Sequence, residues 1–306
     1  MNVFYKEHKY LVMTITQLQV FVKTVEMGSF TKAGQALNMT QPAVSHAILS
    51  IESELGVTLF IRDRRKGLIL TDVGKRIIVH IREILIGIEK IEQEVAVEKG
   101  LEVGTIRIGS FPSASAHFLP KIIRVFREKY PKLELVLHEG TLEEVNEWLL
   151  TRVIDVGIII LPSEEMDTLS LAKDKMVVVL RDDHPLYIRP SISIKDLENE
   201  PLIVFKGGYE SPIIDMFHQA KARLRKEFTV SNVSTALNMV QEGLGLTILA
   251  EMSFSTLPPN VKVRNLNPQV WREIALAVPS LKETSFAVQV FIQMVREVFQ
   301  GEKVHG

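Results

Sequence analysis

The sequence predicts two domains of different class: a small helical domain that ends in a β-hairpin, and a larger α/β domain, with one long helix between them. Residues 14–71 contain short helical segments separated by turn residues, and residues 72–100 carry isoleucines at regular helical spacing. From residue 104 onward, apolar runs typical of strands alternate with helical segments. A chain of 306 residues is long enough to give each domain its own core.

The composition is that of a globular protein, with 46% hydrophobic and 24% charged residues, and it excludes several kinds of site. The absence of cysteine excludes disulfides and thiolate metal sites and is typical of a cytoplasmic protein. No apolar run approaches the roughly 18 residues of a membrane span, and residues 1–13 are interpreted as an N-terminal extension without a signal peptide. The histidines are scattered, and neither a phosphate loop nor a nucleophile elbow is present. We therefore expect no metal, no cofactor and no enzymatic activity.

Residues 15–55 have the pattern of a helix-turn-helix. Gly28 ends a first amphipathic run, and Ser29 and Thr40 are suitable N-caps for two further helices. Asn38 tolerates the left-handed conformation of a turn, and Gly34 allows the two helices to cross closely. The residues expected in the buried angle between them are Ala33, Leu37, Met39, Val44 and Ala47.

The polar outer face of the helix after Thr40 is a candidate DNA-reading surface, because Gln and Ser side chains can bond base edges and His can bond a base or a phosphate. A β-hairpin follows at 59–61 and 68–70, with a basic turn between its strands that would grip phosphate as a wing. Residues 14–76 hold eight Lys and Arg against five Asp and Glu, whereas 77–306 hold 26 against 31. A solvated loop and an ordinary helical hairpin remain the alternative interpretations. The candidate DNA-binding residues are Thr31, Gln41, Pro42, Ser45, His46, Arg62, Arg64, Arg65 and Lys66.

The segment from Gly28 to Asp63, followed by Leu70-Thr71 and Gly74, resembles the DNA-binding region of LysR-type transcriptional regulators. The resemblance extends without a gap over about sixty residues. It implies a winged helix-turn-helix at 14–71. Two positions depart from the family pattern: Gly34 replaces a common alanine, and His46 replaces a common Arg or Gln, so the base preference at that position is not carried over.

Residues 72–100 predict a single long helix with a dimerisation seam. Thr71 is its N-cap, and Asp72 in the first turn suits the helix dipole. Packing against its own domain is the alternative to pairing with a second copy, but the 3.5-residue period favours pairing. The resemblance implies the same homodimer, and a homotetramer is implied by the resemblance alone. The seam residues are Ile77, Ile81, Ile84, Ile88 and Ile91, with Val95 beyond them.

Residues 104–302 predict an α/β domain with parallel sheet and helices on its faces. The predicted strands are 105–109, 133–138, 156–160, 175–180, 202–205, 228–233, 246–250 and 274–278, and the predicted helices are 117–129, 141–152, 211–225, 235–242 and 284–300. The resemblance implies two Rossmann-like halves arranged as in periplasmic binding proteins. Half I comprises 104–175 and 266–302, half II comprises 176–265, and crossovers are expected near 173–176 and 264–266.

Polar residues at the strand-to-helix junctions of this domain are candidate effector contacts, because helix N-termini offer free N–H groups to anions. Each is equally explained as a helix cap, and Thr141 with Glu144 has the spacing of a capping box. The resemblance implies contacts at Ser113, at Thr141 and around Gly208. None of these groups carries a fixed negative charge, and Lys206 adds a positive one. The candidate effector-binding residues are Ser110, Ser113, Thr141, Lys206, Gly207, Gly208 and Ser234.

The function predicted is that of a ligand-responsive transcription regulator. It would bind an interrupted inverted repeat of double-stranded DNA as an oligomer and respond to a small organic anion, most simply a carboxylate. A solute-binding protein would explain only residues 104–302. A DNA-binding protein whose second domain has lost its ligand is the third interpretation.

Overall fold

The computed structural model describes residues 13–63, 67–206 and 210–300, which fall into two compact units divided between Glu98 and Lys99. The first unit contains α1 (Ile15–Met27), α2 (Phe30–Ala36), α3 (Gln41–Leu55), β1 (Phe60–Asp63), β2 (Gly67–Leu70) and α4 (Asp72–Glu98). β1 and β2 pair as an antiparallel hairpin. The predicted winged helix-turn-helix and long helix are confirmed.

Local signals determine where these helices begin and end. The Thr14 hydroxyl accepts the backbone N–H of Gln17, whose side-chain oxygen accepts the N–H of Thr14, so α1 begins with a capping box. Gly28 and Gly56 adopt φ of 58° and 68° at the ends of α1 and α3. Asn38 takes the same left-handed region, with φ of 54°, in the turn between α2 and α3.

Two glycines allow close packing in this unit. A Cβ atom on Gly34 would lie 2.7 Å from the carbonyl oxygen of Met39, and one on Gly74 would lie 2.6 Å from that of Leu59. Both distances are well inside the roughly 3.5 Å of a favourable contact. Gly34 therefore lets α2 lie against the turn before α3, and Gly74 lets the first turn of α4 lie against the chain that leads into β1.

The second unit contains strands and helices in the alternating order expected. The strands are β3 (Gly104–Ser110), β4 (Leu133–Glu139), β5 (Val156–Ile160), β6 (Asp167–Arg181), β7 (Ser191–Ile192), β8 (Pro201–Phe205), β9 (Arg225–Val230), β10 (Thr247–Ala250), β11 (Val261–Leu266) and β12 (Trp271–Val278). The helices are α5 (Pro112–Lys129), α6 (Leu142–Leu150), α7 (Glu210–Gln219), α8 (Val233–Gln241) and α9 (Phe286–Gln300).

The sheet divides into two halves that share strand β6. Half I has the order β4-β3-β5-β12-β6, with parallel pairing among β3, β4 and β5. Residues 167–175 of β6 pair with β12 in half I, and residues 176–181 pair with β10 and β11 in half II. The chain returns to half I between Leu266 and Trp271. The two-half α/β architecture is therefore confirmed.

The structure corrects several details of this domain. The pairings of β6 with β10, β11 and β12 are antiparallel, because the connecting strands run back between the halves, so the sheet is mixed and not parallel throughout. β6 begins at Asp167 instead of residue 175, and β7 and β11 were not predicted. α5 begins at Pro112 instead of residue 117, because proline suits the first turn of a helix. α7 ends at Gln219, since the segment up to residue 225 leads into β9.

Each half has its own core. In half I, α5 and α9 pack on one face of the sheet through residues such as Phe118, Phe126 and Phe291. α6 covers the opposite face with Val145 and Leu149. In half II the alternating residues of β6 divide between two separate clusters. Two cores joined by shared strands leave a cleft between the halves.

Candidate functional site

The outer face of α3 carries the predicted DNA-reading residues. Gln41, Pro42 and His46 are exposed, and Ser45 is half-buried. Thr31 is exposed in the first turn of α2. The opposite face of α3 packs into the core of this unit through Val44, Ile48 and Ile51. The side chains proposed to read DNA are therefore not needed to hold the helix in place.

The β-hairpin is tied to α3 by a carboxylate that the sequence analysis did not single out. Oε1 of Glu52 accepts the backbone N–H of Leu59 at 2.6 Å and that of Phe60 at 3.2 Å. Arg62 lies exposed on β1. The predicted wing residues Arg64, Arg65 and Lys66 lie outside the described residues. Glu52 thus fixes the start of the hairpin relative to α3.

The predicted dimerisation seam on α4 divides into two parts. Ile81 is only 2% exposed and belongs to the core of its own unit, and Ile77 packs against that core. This corrects the expectation for these two residues, since their side chains already have intramolecular partners. Ile84 and Ile91 are exposed and Ile88 is half-exposed, so these three remain available to a second copy.

A cavity of about 960 Å³ lies in the second unit, lined by residues of both halves. Predicted site residues Ser113, Thr141, Lys206 and Ser234 belong to its lining. Ser110 does not: it is fully buried and its hydroxyl donates to the carbonyl of Phe111. Gly207 and Gly208 lie outside the described residues. The remaining lining includes Phe111, His117, Glu144, Lys173, Asp174, Lys175, Phe205, Ser231, Asn232, Glu251, Met252, Ser253, Phe254, Ser255 and Trp271.

The hydroxyl groups of the cavity are partly occupied by local bonds. The Thr141 hydroxyl accepts the N–H of Glu144, and Oε2 of Glu144 accepts the N–H of Thr141, so the capping box anticipated from the sequence is formed. Asn232, and not Ser234, is the N-cap of α8, where its side chain accepts the N–H of Thr235. Ser234 is therefore the second residue of α8, two residues after the N-cap.

Three lysines line the cavity, and they differ in their partners. Nζ of Lys175 lies 3.4 Å from a carboxylate oxygen of Glu251. Lys173 and Lys206 are exposed, and neither has a carboxylate oxygen within 4.0 Å among the residues that the structure describes. Their ammonium groups therefore face solvent in the cavity without a fixed counter-charge in that part of the chain.

Carboxylates also line the cavity, which the sequence analysis did not anticipate. Asp174 is 1% exposed: Oδ2 accepts Nε of Arg272 at 2.8 Å and Oδ1 accepts the N–H of Met252 at 3.1 Å. Because Arg272 balances the charge of Asp174, this carboxylate adds no net negative charge to the cavity. Glu251 pairs with Lys175, whereas Glu144 keeps its negative charge, because the backbone N–H that it accepts in its capping box is uncharged. The surplus charge available to a ligand is positive.

Residues 251–255 form the wall between the halves and were missed by sequence reasoning. The Met252 side chain packs against the core of half I, whereas Phe254 packs against a core of half II. The apolar part of the cavity lining, beside its lysines, consists of Met252 and Phe254 together with Phe205 and Trp271. No pattern in the sequence marks this segment, because its partners lie far away along the chain.

Within residues 13–63, 67–206 and 210–300, no group of three or more His, Asp or Glu side chains is placed to hold a metal ion. Over the same ranges, no helix has the length and apolar character required to cross a membrane.

Comparisons with known proteins match both units. Residues 15–75 match the bacterial regulatory helix-turn-helix proteins of the lysR family, and residues 99–300 match the LysR substrate binding domain. The uncharacterized HTH-type transcriptional regulator YvbU of Bacillus subtilis is 65% identical over 292 residues, 95% of this chain and 100% of that protein.

Solved structures share the fold. A full-length OxyR variant from Pseudomonas aeruginosa superposes with a TM-score of 0.75 at 23% identity, covering 93% of this chain and 95% of that one. Full-length CbnR, in a complex with its target DNA, gives a TM-score of 0.61 at 21% identity, covering 93% and 99%.

Proposed function

This chain belongs to the LysR family of bacterial DNA-binding transcriptional regulators, with an effector-binding domain as its second unit, and from that premise we propose that its effector is a small organic carboxylate. The regulator would bind an interrupted inverted repeat of duplex DNA as a homodimer, or as a dimer of dimers, in the cytoplasm. Its role would be regulatory and not catalytic.

The observation that supports a carboxylate effector is the presence of Lys173 and Lys206 in the cavity lining. Lys173 and Lys206 have no carboxylate partner among the described residues, whereas the buried acid of the lining is neutralised by Arg272. A carboxylate would complete the missing charge pairs, and Ser113 near the N-terminus of α5 adds a hydroxyl donor. The aromatic wall at Phe205 and Trp271 suits a carboxylate with an apolar body.

Calorimetric titration with a panel of carboxylic acids and their uncharged amides tests this proposal. We expect one acid to bind while its amide binds at least tenfold more weakly, a difference of about 1.4 kcal/mol. Lys206→Gln and Lys173→Gln should each lose about tenfold in affinity for the acid, as for a charge-assisted hydrogen bond. Lys262→Gln, which removes an exposed lysine outside the cavity lining, should bind as the parent does.

Equal binding of the acid to all three variants would contradict the assignment. Ser113→Ala is the better hydroxyl variant, because Thr141→Ala would also remove a helix cap worth about 1 kcal/mol and so confuse binding with folding.

The DNA contacts are proposed from the exposed face of α3. Ser45→Ala or His46→Ala should reduce the discrimination between the selected site and random DNA by about 1–3 kcal/mol for a lost base contact. Arg62→Gln should instead weaken binding to all sequences alike and reduce the salt slope by about one. Equal losses on specific and random DNA for all three variants would contradict these roles.

A further inference from the structure

Leu49 is an exposed leucine on the polar outer face of α3. Its side chain is 60% exposed on α3, although leucine is an apolar residue that usually lies in a core. It lies three residues after His46 and four after Ser45, so the helical repeat places it on the same outer face as these two polar side chains. An apolar side chain therefore extends the face that is proposed to read DNA.

The packing of this unit does not require Leu49. The core-facing positions of α3 are occupied by Val44, Ile48 and Ile51, each of which is almost fully buried. Leu49 does not belong to that core. Its apolar surface is therefore free to contact a partner outside this unit.

We infer that Leu49 reads a thymine through its C5 methyl group in the major groove, an inference that rests on the proposed DNA contacts of α3. A leucine side chain has no hydrogen-bonding group, and among the base edges in the major groove only thymine presents an apolar one. Leu49 lies eight residues after Gln41, about 12 Å along the helix axis at a rise of about 1.5 Å per residue. A recognition helix lies in the major groove, so Gln41 and Leu49 would meet different base pairs of the same groove.

The experiment replaces each thymine of the selected DNA site, one at a time, with deoxyuridine, which lacks only the C5 methyl group. For the parent protein, one substitution in each half-site should weaken binding about fourfold, equivalent to about 0.8 kcal/mol for one methyl group. Leu49→Ala should bind the thymine and uracil forms of that site with equal affinity. Leu150→Ala removes a leucine of similar exposure, 46%, from α6 of the second unit and should keep the full fourfold difference.

The possible outcomes separate the inference from its premise. If the parent protein selects no DNA sequence, the proposed DNA contacts of α3 fail together with the inference. If it selects a site but no uracil substitution changes its affinity, the site exists and Leu49 does not read a methyl group. If Leu49→Ala keeps the thymine preference, another side chain reads the methyl group and the inference is overturned. If Leu49→Ala changes the sedimentation coefficient, Leu49 belongs to a contact between protein chains, and the inference is overturned as well.

Discussion

Replacing Asp174 with asparagine should strongly destabilise the effector-binding domain. The carboxylate is 1% exposed and the side chain of Arg272 is 8% exposed, so the pair has little solvent to screen it. Removing one member of a buried ion pair leaves the other charge uncompensated and costs about 3–5 kcal/mol. Asparagine has nearly the same shape and can still accept the N–H of Met252, so we expect about 3 kcal/mol.

Urea unfolding followed by tryptophan fluorescence measures this loss in the relevant domain. The chain has two tryptophans, Trp148 and Trp271, and both lie in the second unit. A double variant, Asp174→Leu with Arg272→Met, should recover most of the stability, because it removes the buried charge entirely. Glu128→Gln, which breaks the exposed pair with Arg124, should produce no measurable change and serves as the control.

A loss below about 1 kcal/mol for Asp174→Asn would show that solvent reaches Arg272 and would refute the reasoning from burial. A double variant as unstable as the single one would show that the shape of the site, and not its charge, determines the stability.

Three further predictions concern other parts of the chain. Aspartate at both Ile84 and Ile88 would place like charges in the proposed dimerisation seam of α4, so sedimentation should show a smaller species. An unchanged oligomer would show that these two residues do not form the seam. Gly74→Ala should destabilise the DNA-binding unit by about 1–3 kcal/mol, because the added methyl group would overpack against Leu59. Unfolding followed by circular dichroism measures this loss, and an unchanged stability would mean that the backbone shifts to accommodate the methyl group. Hydrogen bonds from the backbone N–H of Ser193, and then from its hydroxyl, lower the pKa of Asp196 in the folded protein. The resulting stability is present above the unfolded-state pKa, about 3.9, and is lost as the pH falls through the lower folded-state pKa. Below about pH 4, the urea midpoint of Asp196→Asn should therefore fall less than that of the parent protein.

The first unit could be predicted closely because its signals are local. Gly28 and Gly56 end helices through their own left-handed backbone, and Thr40 caps α3 with its own hydroxyl. Each of these signals acts within four residues of the helix end that it determines. The exception is Ile81, whose place in a regular heptad predicted a partner chain although it packs inside its own unit. Periodicity shows that a face is apolar but not which surface covers it.

The second unit was predicted less completely because its strands depend on distant partners. The alternation of Leu169 and Leu171 within polar neighbours, and of Val261 and Val263 within basic ones, is a strand signal that was available in the sequence. What no local pattern contains is the pairing of β6 with both β12 and β11, since those partners lie roughly a hundred residues further on.

The same limit applies to the cavity of the second unit. Its helix-terminal serines and threonines could be located from capping patterns, yet Asn232 and Pro112 displaced two of the expected helix starts. Asp174 could not be recognised as a neutralised charge, because Arg272 is 98 residues away and is brought to it only by the pairing of β6 with β12. Four of the residues singled out from the sequence line the cavity and Ser110 does not, while the charge balance of the cavity was not anticipated.

The ion pair of Asp174 lies close to the point where β6 passes from one half to the other. Oδ1 of Asp174 accepts the backbone N–H of Met252, whose side chain packs against the core of half I. Phe254, two residues later, packs against a core of half II. A ligand that contacts this wall cannot displace it without separating one of these side chains from its core. Because a ligand shifts a conformational equilibrium only by its difference in affinity for the two states, the contacts with residues 251–255 are the ones expected to depend on the angle between the halves. Contacts made within one half, such as that of Ser113, would add affinity equally in both states and would not change the response.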